Sequence, residues 1–317
     1  MKSIFDHSSM QALLRRTRML RRLLASALLA ACSLPAAAAL NVVACEPEWA
    51  SLASALGGDK LNVSAATTAA QDPHHIEARP SLIARMRNAD LIVCTGMELE
   101  IGWLPVLIRQ SGNARLVPDA PAYFEAGRYI TPIEVPTRLD RGDGDVHAQG
   151  NPHIQLDPRN IAKIATALAA RLAQIDPGNA KTYQDRLQAF QARWSTAMQK
   201  WAQEALPLKG LVVVAHHKNM GYLWQWLGVR EVGTLEPKPG VEPSAGHLSE
   251  LNAQLARQPA KLVVRAAYED PRASEWLAEH AKIRAVALPF TVGGNAQATD
   301  LFGLYDSTIA LLLEGAK

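Results

Sequence analysis

The segment DVHAQGNPHIQLDPRN, residues Asp145–Asn160, lies between two halves of the chain that each alternate strand-like and helix-like stretches. It contains two turns with proline, at Pro152 and Pro158. Asp157 followed by Pro158 predicts the start of a helix, because the carboxylate caps backbone amides and the proline ring already has a helical φ. His153 is therefore expected on a rigid turn just before a helix.

Histidines are concentrated in three clusters that lie far apart in the sequence. The chain has nine histidines, and six of them form these clusters. The clusters are His74 with His75, His147 with His153, and His216 with His217. Imidazole is the commonest protein ligand for transition metals, so the three segments together predict a buried metal site between two lobes. The alternative for each cluster alone is a pair of capping or surface histidines.

Length and charge limit the classes of protein to which the chain can belong. The chain has 317 residues, which is enough for two domains, and 48% of them are hydrophobic. The net charge of +3 is misleading, because residues 1–39 hold six basic residues and one acidic residue. The remainder has 27 basic and 29 acidic residues, so we expect no interaction with nucleic acid.

Residues 1–39 have the pattern of a secretory signal peptide. A basic stretch at residues 15–22 precedes the apolar run Leu23–Leu34, which is too short to span a membrane. Ala36–Ala39 offers an A-x-A cleavage site, so we expect cleavage after Ala39 and a periplasmic protein. The alternative is a lipid anchor at Cys32, because Leu29–Cys32 resembles a lipobox.

Two cysteines remain after cleavage at Ala39. Cys45 and Cys94 each end an apolar strand-like stretch, and such strands can be neighbours in a sheet. In an oxidising compartment this arrangement favours a disulfide. The alternative is two buried free thiols, because the pairing register of strands cannot be read from sequence.

The alternation of strands and helices predicts an α/β fold in both halves, with mostly parallel sheets flanked by helices. The strand-like stretches are Leu40–Cys45, Leu61–Thr67, Asp90–Cys94, Leu211–Ala215, Glu231–Leu235, Lys261–Tyr268 and Ile283–Pro289. Residues 111–150 give weaker signals, typical of one or two strands and long loops. His216 and His217 follow a strand directly, at the carboxyl edge where parallel sheets bind ligands.

A long helix is predicted between the halves, from Asp176–Pro177 to about Leu206. Apolar and aromatic residues recur in it at spacings of three and four, and some 30 residues would extend roughly 45 Å. One interpretation is a rigid helix, residues 177–206, that joins lobes of residues 40–176 and 207–317. The other is an ordinary packed helix. In either case the aromatic stripe belongs to the core.

Three motifs in this order resemble those of a known family. They are DPHHIEARPS (72–81), GNPHIQLDPRN (150–160) and LVVVAHHKNMGYL (211–223). The set is similar to the metal-binding solute-binding proteins of ABC transporters, the ZnuA/TroA-like family that binds zinc or manganese. The resemblance extends over residues 40–317. It implies two α/β lobes joined by one long helix, a metal in the cleft, and delivery to a membrane permease rather than catalysis.

The resemblance also implies which histidines bind the metal. The family's motif positions fall on His74, His153 and His217. The neighbouring histidines would then orient these ligands or supply an alternative nitrogen. These neighbours are His75, His147 and His216.

The fourth ligand is where this sequence departs from the family. Many relatives have an aspartate in the last loop, but Thr291–Gly294 occupies that region here. Glu242 and Glu236 are the candidate acids, and a water molecule is a third candidate. Three nitrogens with one oxygen suit the four-coordinate preference of zinc, whereas manganese prefers more oxygen ligands. We therefore expect zinc, with manganese as the alternative.

Two other classes of function are compatible with three histidines. A secreted zinc hydrolase would need a general base near the metal, and Glu77 or Glu242 could serve, but the sequence has no H-E-x-x-H motif. A surface adhesin would fit the lipobox at Cys32. We expect a monomeric metal carrier that is not an enzyme and whose partners are a transition-metal ion and a membrane permease.

Overall fold

Two parallel sheets form the framework of the protein, in a computed structural model that describes residues 38–140, 142 and 144–317. The strands are β1 (Leu40–Ala44), β2 (Leu61–Ala65), β3 (Leu91–Cys94), β4 (Tyr123–Glu125), β5 (Val212–Ala215), β6 (Arg230–Thr234), β7 (Leu262–Ala266) and β8 (Arg284–Leu288). The first sheet has the order β2-β1-β3-β4, and the second has the order β6-β5-β7-β8. All neighbouring strands in these sheets are parallel.

Helices connect the strands and cover the sheets. In the described residues they are α1 (Pro47–Gly57), α2 (Pro80–Arg87), α3 (Leu104–Ser111), α4 (Pro158–Ile175), α5 (Ala180–Glu204), α6 (Gly221–Leu227), α7 (Ala245–Leu255), α8 (Pro271–Ala281) and α9 (Leu301–Ala316). The predicted two-lobed α/β fold, with one mostly parallel sheet in each half, is confirmed.

Both sheets have the same topology, and this positions the site. In the first sheet, β2 lies on one side of β1 and β3 lies on the other. In the second sheet, β6 and β7 lie on the two sides of β5 in the same way. Loops that leave the carboxyl ends of such strands enclose a crevice in which ligands bind. The loop after β2 carries His74, and the loop after β5 carries His217.

The cysteines lie at the carboxyl ends of β1 and β3, which are hydrogen-bonded neighbours. The Cys45 amide donates to the Val93 carbonyl at 2.8 Å, which brings the end of β1 beside Cys94. A disulfide joins Cys45 to Cys94, with 4.7 Å between their Cα atoms. The predicted bridge is therefore present, and it ties the two central strands together near the crevice.

Helix α5 has 25 residues and extends about 37 Å. It packs on α1 and α4 of the first half and on α9 of the second. Its buried residues include Trp194 and Trp201; the Trp194 indole donates to the Pro158 carbonyl at 2.9 Å, and the Trp201 indole donates to Asp306 at 2.7 Å. The aromatic stripe is thus core, as predicted, and the helix contacts both halves.

The start of α5 differs from the predicted one. Asp176 and Pro177 begin a short 3₁₀ turn, and the α-helix itself starts at Ala180. The Asp176 carboxylate accepts hydrogen bonds from the Asn179 side-chain amide and from the Tyr183 hydroxyl, both at 2.7 Å. The carboxylate therefore bonds to the buried Tyr183 side chain instead of capping a free backbone amide of the helix. A local sequence pattern does not reveal this partner.

The described residues contain no helix that is both long enough and apolar enough to cross a membrane. Cys32 and residues 1–37, the greater part of the predicted signal peptide, lie outside the described residues. Residues 39–317 form one compact unit.

The disulfide leads to a prediction about thiol reactivity. In natively folded protein from an oxidising compartment, Cys45 and Cys94 should resist alkylation until a reductant is added, because neither sulfur carries a free thiol. Mass spectrometry after labelling with and without reductant measures this. Labelling of both residues without reductant would contradict it.

Candidate metal centre

Three histidines from distant segments converge at the crevice between the two halves. His74, His153 and His217 are exposed by only 8%, 1% and 8%, respectively. One ring nitrogen of each lies within 4.8 Å of the corresponding nitrogens of the other two. The ring pairs meet nearly edge-on, with centroid distances of 5.4, 5.9 and 6.1 Å.

His74 is oriented by a turn of its own segment. Asp72 accepts the His74 backbone amide at 2.9 Å, and the same oxygen lies 2.7 Å from the ring Nδ1. Burial alone would raise the pKa of Asp72, but the hydrogen bonds and charge interactions with His74, together with the charge of His75, outweigh burial and the pKa is lowered. An ionised Asp72 holds the proton on Nδ1, so Nε2 keeps a free lone pair. Asp72 is not among the residues that the sequence predicts for the site, although Asp-Pro-His is a recognisable turn signal.

His153 is held at the turn before α4. The Asn151 side-chain oxygen accepts the His153 backbone amide at 2.9 Å, and the ring packs edge-on to Phe290 at 5.4 Å. Burial, followed by the nearby rings of His74 and His217, holds the pKa of His153 well below its usual value. Its Nδ1 is buried without a hydrogen-bond partner. Such a nitrogen is costly unless a ligand satisfies it, so this side chain fits a metal.

His217 follows β5 and is oriented by an acid from the neighbouring loop. Its Nδ1 lies 2.6 Å from a Glu236 oxygen, and that oxygen also accepts the Gly240 amide at 2.8 Å. Burial opposes protonation of His217, but the Glu236 carboxylate outweighs burial and raises the pKa. The Glu236 carboxylate favours a proton on Nδ1, so Nε2 is the nitrogen left for a ligand, and a cation there competes with the proton that the raised pKa favours. A carboxylate behind a ligating imidazole is a recurrent feature of metal sites.

The other three predicted histidines lie in different surroundings. His147 is partly buried; its Nε2 lies 3.3 Å from the Nε2 of His74, and the two rings stack. Burial, followed by the neighbouring His74, lowers the pKa of His147 to about 4. The His75 side chain is 70% exposed and lies 4.0 Å from Asp145. His216 is buried, with its Nε2 4.0 Å from Glu236. Of the three, His147 is the one whose ring nitrogen lies beside a member of the group, His74.

The two candidate carboxylates lie in different positions, and the last loop contacts a third acid, Glu48. Glu236 is engaged with the Nδ1 of His217, and Glu242 is exposed. The Thr291 hydroxyl donates to the buried carboxyl of Glu48, so this threonine links the last loop to the first half. Burial raises the pKa of Glu48 to about 7. The Glu48 contact pairs residues 243 positions apart, and sequence patterns gave no signal for it.

A cleft of about 480 Å³ opens beside two of the three rings, those of His153 and His217. His147, His153 and His217 line it, together with Asp145 and Glu134. The centre thus offers a small set of nitrogen donors at the base of an opening to solvent. Carboxylates lie beside the Nδ1 atoms of His74 and His217, so the Nε2 atoms of these two rings are the ones available to a cation.

Comparison with known proteins relates this fold to metal transport. The family model described as ZnuA, zinc-uptake complex component A periplasmic, matches residues 42–315. A solved structure described as ZnuA superimposes with a TM-score of 0.71, covering 86% of this chain and 99% of that one at 24% sequence identity. At that identity the superposition supports the fold alone.

Two bacterial relatives are similar over part of the chain. The metal ABC transporter substrate-binding lipoprotein ScbA of Streptococcus cristatus is 29% identical over 212 residues, which are 62% of this chain and 64% of that protein. The manganese ABC transporter substrate-binding lipoprotein scaA of Streptococcus gordonii is 28% identical over 212 residues, with the same coverage. The match thus spans somewhat less than two thirds of these relatives.

The contact between Glu236 and His217 leads to a prediction for metal affinity. Glu236→Gln should weaken zinc binding by about 10–100-fold, because an amide orients the ring without the charge that makes it a better ligand. Chelator competition measures the affinity. Glu242→Gln is the matched control, since Glu242 is exposed on the same loop and should change the affinity little. The opposite order would identify Glu242 as a direct ligand.

Proposed function

The chain belongs to the ZnuA family, and from this membership we propose that it captures a divalent transition metal in the periplasm and delivers it to the permease of an ABC transporter. The observation that carries the proposal is the convergence of three buried imidazoles from three distant segments. His74, His153 and His217 are the proposed ligands. Relatives named as metal ABC transporter substrate-binding proteins support it.

We propose zinc as the preferred metal. The names of relatives and of the family differ on this point, since one relative is named for manganese and the family description for zinc. The donor set supports zinc, because neutral imidazoles suit a four-coordinate zinc ion and manganese prefers oxygen. Glu236 is already hydrogen-bonded to His217, and Glu242 is exposed.

A carrier fits the site better than a hydrolase does. A zinc hydrolase needs a general base within hydrogen-bond reach of a metal-bound water. The two acids nominated from sequence, Glu77 and Glu242, are both exposed and are not part of the histidine group. We therefore propose that the protein binds and releases its metal without catalysis, as a monomer and independently of nucleic acid.

The domain division follows from the same proposal. Residues 40–176 and 207–317 would form two lobes, and residues 177–206, which include α5, would connect them. The contacts of α5 with helices of both halves support this role. Export would use residues 1–39 as a cleaved signal peptide, with lipid attachment at Cys32 as the alternative that the names of the lipoprotein relatives support.

The metal preference can be tested on purified mature protein. We expect one equivalent of zinc per chain by elemental analysis of protein isolated from the periplasm without added metal. In competition titrations zinc should displace manganese, because the donors are nitrogens. Preference for manganese would contradict the choice of metal, and a stoichiometry near zero would contradict the function itself.

Paired substitutions test the assignment of the ligands. His217→Ala should weaken zinc binding more than His216→Ala, and His74→Ala more than His75→Ala, because loss of a direct ligand removes a strong Zn–N bond. His75 is the clean control, since its side chain is exposed. Chelator competition on the four variants gives the order. If His216→Ala were the more damaging of its pair, the assignment at this strand would be wrong by one residue.

A further inference from the structure

We propose that His147 supplies the fourth ligand, so that the metal is held by four imidazoles. The proposal rests on the function proposed above and adds a donor to the same site. It replaces both the acid and the water considered for the fourth position. Its basis is the position of the His147 ring relative to that of His74 and the way its loop is held.

The distance between the Nε2 atoms of the two rings matches the distance between two ligand atoms of one tetrahedral metal ion. The Nε2 atoms of His147 and His74 are 3.3 Å apart. Nitrogens bound to zinc lie about 2.0–2.1 Å from the ion, so two of them at a tetrahedral angle are about 3.3–3.4 Å apart. The pair is therefore spaced as two ligands of one tetrahedral ion.

The direction of the His74 lone pair agrees with this. Asp72 holds the proton of His74 on Nδ1, and so Nε2 presents its lone pair toward His147. The two rings are inclined by only 25°, with 5.3 Å between their centroids. Both Nε2 atoms thus border the same small space, in which a cation would satisfy both lone pairs at once.

The loop that carries His147 is fixed to both halves of the protein. Directly after His147, the Ala148 amide donates to a Glu98 carboxylate oxygen at 2.6 Å, and Glu98 belongs to the first half. The Asp145 amide donates to the Pro239 carbonyl of the second half at 2.9 Å. His147 is therefore held over the cleft from both sides.

Residues near the His147 loop have positive φ angles, which few residue types adopt readily. Met97 and Glu98 both have positive φ values, 55° and 68°, which are uncommon for residues other than glycine. Gly150 has a φ of 98°, and an added Cβ would lie 2.6 Å from the Ile133 carbonyl oxygen. The loop can therefore adopt this path only with glycine at position 150, and Glu98 is held in the geometry that receives Ala148.

A fourth imidazole has a consequence for selectivity. Four neutral nitrogens complete a four-coordinate shell without any oxygen ligand, which disfavours manganese, magnesium and calcium. It also makes complete coordination depend on a loop that contacts both halves. Metal would thus be held most tightly when Glu98 and Pro239 keep this loop over the cleft.

Coordination chemistry can be measured directly with the full mature chain. X-ray absorption at the zinc edge should fit four imidazoles in the wild type and three in His147→Ala. With Co²⁺ as the probe, His147→Cys should show a sulfur-to-cobalt charge-transfer absorption, because a thiolate at this position would reach the ion. His75→Cys is the matched control and should lack the band, since His75 is exposed. The native cysteines do not interfere, because they form a disulfide.

The outcomes separate this proposal from the proposed function. A wild-type protein that binds neither zinc nor cobalt would overturn the function itself. A wild type that binds zinc with three imidazoles and an oxygen would overturn only the role of His147. So would a cobalt-loaded His147→Cys without the charge-transfer band. If His147→Cys fails to take up cobalt, the imidazole count of the wild type decides.

Discussion

The candidate site depends on hydrogen bonds that hold buried imidazoles in one protonation state. A histidine ligates a metal through a nitrogen that carries no proton, and an acceptor beside the other nitrogen favours the proton there. Asp72 provides this for His74, and Glu236 provides it for His217. His153 reaches the neutral state through burial instead. The three rings thus present lone pairs to one small volume.

The fold supplies these partners because parallel sheets bring loops from distant segments together. The loops after β2 and β5 both leave the carboxyl ends of strands, and His153 precedes α4 between the two sheets. Around them the rigid elements are the Cys45–Cys94 disulfide and helix α5. A site composed of three segments retains its geometry only if its surroundings do not move independently, and a core shared between the halves provides that constraint.

Much of the fold could be predicted from sequence, because alternation of strands and helices is a local pattern. The predicted helix start at Asp157–Pro158 agrees with the structure, since the Asp157 side chain caps α4 and Pro158 is its first residue. The start of α5 was predicted less well, because Asp176 bonds to the side chain of Tyr183 rather than to a backbone amide. Local propensity cannot reveal such a tertiary partner.

The sequence predicts only part of the site, for the same reason. Motif matches selected His74, His153 and His217, and the structure brings these three together. Sequence could not distinguish between Glu236, Glu242 and His147 near the group, because their positions depend on how two loops meet. The short distance between His147 and His74 arises from contacts of residues 145 and 148 with opposite halves of the chain.

The central claim is that one metal ion lies between the rings of His74, His153 and His217. Anomalous diffraction at the zinc absorption edge, on crystals of protein purified without chelator, tests it most directly. The account predicts one strong peak within bonding distance of one nitrogen of each ring. A zinc peak elsewhere on the molecule, with none among these rings, would contradict it.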